Sequence, residues 1–286
     1  LLHEAERAGV PMVLANARLS ERSAAKGRRL AVLMRPAAES FGRVLAQTDA
    51  DAQRLRAAGA PWVLVCGNLK FDVDPNPKLL ARGLQWRQSQ PRPVVLAAVT
   101  RDGEELPLLQ RWVELAVPRP LLLLVPRHPQ RFDSVADMVA DFGLRLLRRS
   151  SWGALPPDEA AQADVWLGDS MGEMALYYAA ADVALLGASF ARLGGQNLIE
   201  AAACGCPVVM GPHTFNFTEA AELAVEEGAA RRVVDMEQGV RAARKLMDRP
   251  DARAQAVAAG LAFADRNRGA TGKTVSALER FLKTPG

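Results

Sequence analysis

The chain has 286 residues, room for about two domains of ordinary size. Hydrophobic residues make up 49% and charged residues 24%, which excludes a disordered chain and fits a soluble globular one. Lys and Arg total 36 against 32 for Asp and Glu, and a net charge of +4 is too small an excess for a nucleic-acid-binding protein.

The sequence begins Leu1-Leu2-His3-Glu4, without Met, and runs at once into a helical pattern, so its start is expected to be a cut through a longer protein. Strands are predicted at 11–15, 44–47 and 62–66, with a helix at 49–58. Residues 73–92 then read as a linker, containing Asp74-Pro75-Asn76-Pro77 and running through Ser89-Gln90-Pro91-Arg92 into Pro93, poor in core-forming side chains. Beyond it, strands at 94–99, 121–125, 144–147, 165–167, 183–186, 207–210 and 231–234 alternate with helices at 104–116, 132–142, 173–180 and 217–227. Short continuous apolar runs suit strands buried on both faces of a parallel sheet. The tail 251–282 reads as helix throughout.

This alternation predicts an α/β, doubly wound fold. The few strands ahead of the linker are the end of a first Rossmann-like domain, residues 1–72, and a complete one follows at 93–286. The best candidate for a membrane span, 121–125, is flanked by Pro120 and Pro126 and is far short of the ~18 residues required. Cys204-Gly205-Cys206 lacks the spacer of a zinc knuckle, and with Cys66 it reads as small buried thiols; no metal site is expected.

In open α/β sheets ligands bind beyond the carboxyl ends of the strands, and four loops there are unusually polar. In Pro126-Arg127-His128-Pro129-Gln130-Arg131, Arg127 and Arg131 either grip a phosphate or carboxylate or are simply solvated on a rigid turn. Ser170 and Glu173 have the spacing of a capping box, and the same helix start offers N–H groups to an anion. Gly194-Gly195-Gln196-Asn197-Leu198-Ile199-Glu200 pairs glycines that let backbone approach a ligand with a carboxylate suited to two sugar hydroxyls. That carboxylate equally suits the helix dipole. The loop 211–217 carries His213, Phe215, Asn216 and Phe217, and the aromatics are more often core than stacking platforms. Acids at Glu104 and Glu105 are explained by the dipole, and a lone lysine such as Lys70 is usually solvated.

Taken in order, seven segments resemble the Kdo (3-deoxy-D-manno-octulosonic acid) transferases of lipopolysaccharide synthesis: 15–20, 67–72, 100–105, 125–132, 169–173, 194–200 and 211–217. The resemblance implies a GT-B fold whose C-terminal Rossmann-like domain holds CMP-Kdo, and an enzyme that transfers Kdo to a lipid A precursor at the cytoplasmic face of the bacterial inner membrane, with peripheral membrane contact. It places Pro126, Arg127, Met171, Gly172, Glu173, Asn197, Leu198, Ile199 and Glu200 around the CMP moiety, with Glu200 on ribose hydroxyls. It makes Lys70 the residue that stabilises charge in the transition state. It implies no cofactor and no metal.

Gln196 and Leu198 depart from the His and Pro that the family often has there. The resemblance also puts the general-base glutamate ahead of Leu1, so the chain as given is expected to hold donor without transferring it. The Gly-Gly and Glu arrangement by itself also fits a UDP-sugar transferase, a sugar-nucleotide epimerase, or a non-catalytic nucleotide-binding fragment.

Overall fold

A computed structural model describes residues 2–283. The chain opens with α1 (Leu2–Arg7), β1 (Val13–Ala17), α2 (Glu21–Arg29), α3 (Ala31–Glu39), β2 (Arg43–Ala46), α4 (Asp49–Ala57) and β3 (Val63–Val65). It continues with α5 (Pro77–Ser89), β4 (Val94–Thr100), α6 (Glu105–Val113), β5 (Leu121–Pro126), α7 (Phe132–Asp141), β6 (Leu146–Arg148), β7 (Val165–Leu167), α8 (Met174–Ala179) and β8 (Val183–Leu186). It ends with α9 (Leu198–Ala203), β9 (Val208–Met210), α10 (Thr218–Glu226), β10 (Ala230–Arg232), α11 (Met236–Met247), α12 (Pro250–Arg266) and α13 (Ala270–Lys283). Two compact units result: Leu1–Val73 with Arg266–Gly286, and Asp74–Asp265.

The first unit is built on a parallel sheet in the order β1-β2-β3. Val44, Ala46, Ala52, Leu55 and Val63 form its core between sheet and α4. The last helix, α13, belongs to this unit. Asp72 holds it there, accepting hydrogen bonds from the backbone N–H groups of Gly269, at 2.6 Å, and Thr271. At the far end of α13 the Arg43 guanidinium lies 5.5 Å from the Phe281 ring centroid and 5.0 Å from that of Trp62.

The second unit carries a seven-stranded parallel sheet in the order β10-β9-β8-β4-β5-β7-β6. Every residue of β4, β5 and β8 is buried, which is why these strands read as continuous apolar runs rather than alternating ones. Strand order reverses between β4 and β8, so the crevice beyond their carboxyl ends is the expected ligand position. Buried Asp182 locks three elements behind the sheet. Its carboxylate accepts from the Val94 N–H at 2.8 Å and from Arg253 of α12 at 2.5 Å, and forms an ion pair with Arg87 of α5 at 2.9 Å.

Three expectations about organisation need correction. The supposed linker 73–92 contains the thirteen-residue helix α5. Its prolines misled: Pro77 stands at the first helical turn, where a missing N–H costs nothing, and Asn76 caps the helix by accepting from Lys78 and Leu79 N–H. α5 is part of the second unit's core, with Trp86 fully buried against Trp166 at 5.9 Å. The tail is not one helix but two, broken at 267–269, where Gly269 has φ +93°. The second of these helices lies with the first unit, not with residues 93 onward. All three cysteines are free thiols, with Cys66 and Cys206 buried.

Candidate functional site

A cavity of about 230 Å³ opens at the carboxyl edge of the second unit's sheet. Its walls come from the ends of β4 (Val99), β5 (Val125, Pro126) and the loop after it (Arg127), from 170–174 and Tyr177 around the start of α8, and from Glu200 in the first turn of α9. The structure thus brings together Pro126, Arg127, Met171, Gly172, Glu173 and Glu200, which lie far apart in sequence.

Glu200 is only partly exposed, and its carboxylate makes no hydrogen bond or ion pair among the described residues. Burial pushes its carboxyl above the ordinary carboxylate range, and the nearby positive charge of Arg127 offsets only part of that. Arg127 is exposed at the rim, its backbone N–H bonded to the Thr100 carbonyl at 2.9 Å, and its guanidinium has no ion pair among the described residues. A desolvated carboxylate and a cation stand unpartnered on one cavity, an arrangement that leaves an acceptor for hydroxyl donors and a donor fork for an anion.

Glu173 is different. Its carboxylate accepts both Nε and Nη2 of Arg149, each at 3.0 Å, as well as the Ser170 hydroxyl at 2.6 Å and the Arg82 guanidinium. Burial acts to raise its pKa, but the Ser170 hydrogen bond and the charges of Arg149 and Arg82 outweigh it and hold the carboxyl below its usual range. The expected capping box does not form: Glu173 is itself the residue before α8, and neither side chain bonds a helix N–H. The Ser170 hydroxyl instead joins Glu173 to Tyr177. Arg149 is sandwiched at 5.1 Å from the Trp86 ring centroid and 5.8 Å from that of Trp152, so the wall rests on a set of rings supplied by α5 and the loop after β6.

Asn197, Leu198 and Ile199 do not line the cavity. The Asn197 side chain accepts the Ile199 N–H at 3.1 Å, capping α9, and Leu198 and Ile199 are core residues at 0% and 1% exposure. The pair Gly194 and Gly195, at φ +91° and +78°, takes part in the packing of two loops. Gly195 N–H bonds the Ala188 carbonyl at 2.7 Å, and the Asn216 N–H bonds the Gly194 carbonyl at 3.0 Å. Of the two arginines after β5, Arg131 is committed to structure, reaching buried Glu105 at 2.5 Å and Asp102 at 3.2 Å. Phe215 is 62% exposed, so it is not core.

Glu104 and Glu105 are not the solvated acids that a dipole account expects, since each is 1% exposed. Lys70 is exposed on a short 3-10 helix, Leu69–Phe71, of the first unit, with its N–H bonded to the Asn68 side chain at 3.0 Å. Val99, Met174 and Tyr177 are wall residues that had gone unread. Tyr177 is one helical turn beyond Glu173, a spacing that could have flagged it. Val99 carries no local sign; its φ of +59°, rare for a β-branched residue, emerges only in the folded chain.

No helix of the described residues is long and apolar enough to cross a membrane. Residues 1–73 match the family model described as 3-Deoxy-D-manno-octulosonic-acid transferase (kdotransferase). The chain is 46% identical to a 3-deoxy-D-manno-octulosonic acid transferase of Bordetella pertussis, over 99% of this chain and 66% of the relative. It is 34% identical to one of Haemophilus influenzae, over 99% of this chain and 67% of that relative, so it spans about two thirds of their length. Among solved structures it resembles the C-terminal CMP-Kdo binding domain of WaaA from Acinetobacter baumannii, at 30% identity and a TM-score of 0.61, covering 66% of this chain and 98% of that one. The Anabaena protein Alr3699/HepE in complex with UDP superposes over 99% of this chain and 75% of its own, with a TM-score of 0.58 at 16% identity, a likeness of fold alone.

Proposed function

Since the chain belongs to the family of 3-deoxy-D-manno-octulosonic acid (Kdo) transferases, we propose that its second unit binds CMP-Kdo as donor. As in its family, the protein transfers Kdo from that donor to a lipid A precursor. The observation that carries this reading is that Glu200 and Arg127, whose side chains have no hydrogen-bond or ion-pair partner among the described residues, share one cavity beside the β4–β8 reversal of strand order. The Glu200 carboxylate accepts the two ribose hydroxyls of CMP, and Arg127 faces the phosphate. Met171 and Gly172 supply the exposed rim, while Glu173 acts by fixing that turn rather than by offering its carboxylate. When the sugar leaves, negative charge grows on the CMP phosphate, and a fixed cation lowers the barrier to its departure. Lys70 stabilises charge at the same step. In the cell the protein works at the cytoplasmic face of the inner membrane, in peripheral contact with it.

Calorimetric titration of the chain with CMP and with UMP tests the donor. CMP is expected to bind more tightly, and Glu200→Ala and Arg127→Ala each to weaken it. A preference for UMP would replace this reading with that of a UDP-sugar enzyme.

A further inference from the structure

Glu104 stands immediately before α6, at 1% exposure, yet its carboxylate caps no helix N–H. It accepts four backbone N–H groups instead. Oε2 takes those of Ala188 at 2.7 Å and Arg101 at 2.9 Å; Oε1 takes those of Phe190 at 3.1 Å and Ala191 at 3.3 Å. Three of these donors lie in the loop that follows β8, on the other side of the reversal in strand order. An acid needed only for the helix dipole would stay in water, where it suffers no desolvation.

The loop so held is not a relaxed one. Ala188 has φ +56°, and Val99, a wall of the cavity, has φ +59°. Between them Gly187 is pressed so close that a Cβ there would lie 2.4 Å from the Val99 carbonyl oxygen. Conformations of this kind persist only where their surroundings impose them. From Ala188 the path to the cavity is short: its carbonyl holds the Gly195 N–H at 2.7 Å, Asn197 caps α9, and Glu200 is in the first turn of that helix.

We propose that Glu104 is a positioning residue of the nucleotide cavity, clamping residues 188–191 so that the segment from Gly195 to Glu200 stands where the ligand requires it. The proposal rests on the reading of the cavity as a nucleotide site. It makes Glu104 a determinant of affinity that never touches ligand.

The test compares Glu104→Gln, Glu104→Asp and a core control, Val139→Ala in α7, in the otherwise unchanged chain. Gln keeps the volume but turns an NH2 toward two of the four N–H donors; Asp keeps the carboxylate on a shorter stem. Two quantities are measured: amide hydrogen exchange at Ala188, Phe190 and Ala191 without ligand, and CMP affinity by calorimetry. Glu104→Gln is expected to speed exchange at those amides and to weaken CMP by about tenfold or more, with partial recovery in Glu104→Asp. Val139→Ala is expected to lower the melting temperature without either effect. CMP affinity within about twofold of wild type in Glu104→Gln, or an equal loss in Val139→Ala, overturns the proposal. Should the wild-type chain not bind CMP, the nucleotide reading fails, and the exchange rates alone decide the clamp. Should Glu104→Gln fail to fold, Glu104→Asp is measured in its place by the same criteria.

Discussion

Arg149 grips Glu173 with two parallel hydrogen bonds, Nε to Oε2 and Nη2 to Oε1, each 3.0 Å long. Both side chains are largely withdrawn from water, at 11% and 15% exposure, and Arg82 adds a second positive charge to the same carboxylate. This geometry holds the cavity wall through an acid that the sequence places beside the ligand.

Removing the charge of Glu173 leaves two arginines facing no carboxylate. Glu173→Gln is expected to destabilise the second unit by on the order of 3 kcal/mol, measured by urea unfolding. The pH dependence follows from its depressed pKa. The Glu173 contribution is complete above the ordinary glutamate pKa of 4.5 and is lost as pH falls through the lower value it has in the fold. The stability difference between wild type and Glu173→Gln should therefore shrink on acidification below that range, and a difference constant with pH would contradict the network.

Glu200 is expected to behave in the opposite sense. Its pKa is raised by burial, so the fold favours the neutral form, and the stability tied to that form is present below the ordinary glutamate pKa and lost as pH rises through the folded value. Glu200→Gln, which cannot ionise, should melt no lower than wild type at neutral pH. Glu200→Ala should weaken CMP by about 1–3 kcal/mol, read by calorimetry, if two ribose hydroxyl bonds are lost. A variant that loses stability and keeps CMP would make Glu200 a helix-dipole residue instead.

Gly194 and Gly143 separate strain from collision. Both have positive φ, +91° and +67°, but a Cβ at Gly194 would meet Asn216 Nδ2 at 2.2 Å, whereas one at Gly143 would meet nothing within 4 Å. Gly143→Ala should lose only the backbone penalty, about 1 kcal/mol, and Gly194→Ala clearly more, as shifts in denaturation midpoint. Equal losses would mean that the loops at 194 and 216 part easily.

Asp72 acts on α13 as a cap from a distant part of the chain. Asp72→Ala removes acceptors from the Gly269 and Thr271 N–H groups and should cost about 0.5–2 kcal/mol, as other helix caps do. Limited proteolysis should then cut more readily near residue 269. Unchanged cleavage would show that Phe281 and its neighbours hold the helix without the cap.

Local patterns made much of this protein readable. Continuous apolar runs announced β4, β5 and β8 because each is buried on both faces of a parallel sheet. The loops after those strands pointed to Arg127 and Glu200 because a ligand in such a sheet meets the carboxyl ends of the strands. The pattern failed where one residue type serves two uses. Prolines around α5 resembled a linker although Pro77 merely starts a helix, and Ser170 and Glu173 had capping-box spacing while bonding to other partners. Leu198 and Ile199 shared a motif with Glu200, but successive helical residues point different ways, and these two point into the core.

The order of apolar runs and turn residues along the chain was enough to determine an α/β fold and the family resemblance, since each depends on neighbours in sequence. Only the tertiary structure decided which polar side chains are spent on the protein and which remain for a ligand. Glu104, Glu173 and Glu200 are the same residue type near the starts of three helices. Four backbone N–H groups occupy the first, two arginines and a serine the second, and no described side chain the third. That difference arises from partners drawn from remote segments, and a carboxylate's function depends on what faces it once water is gone.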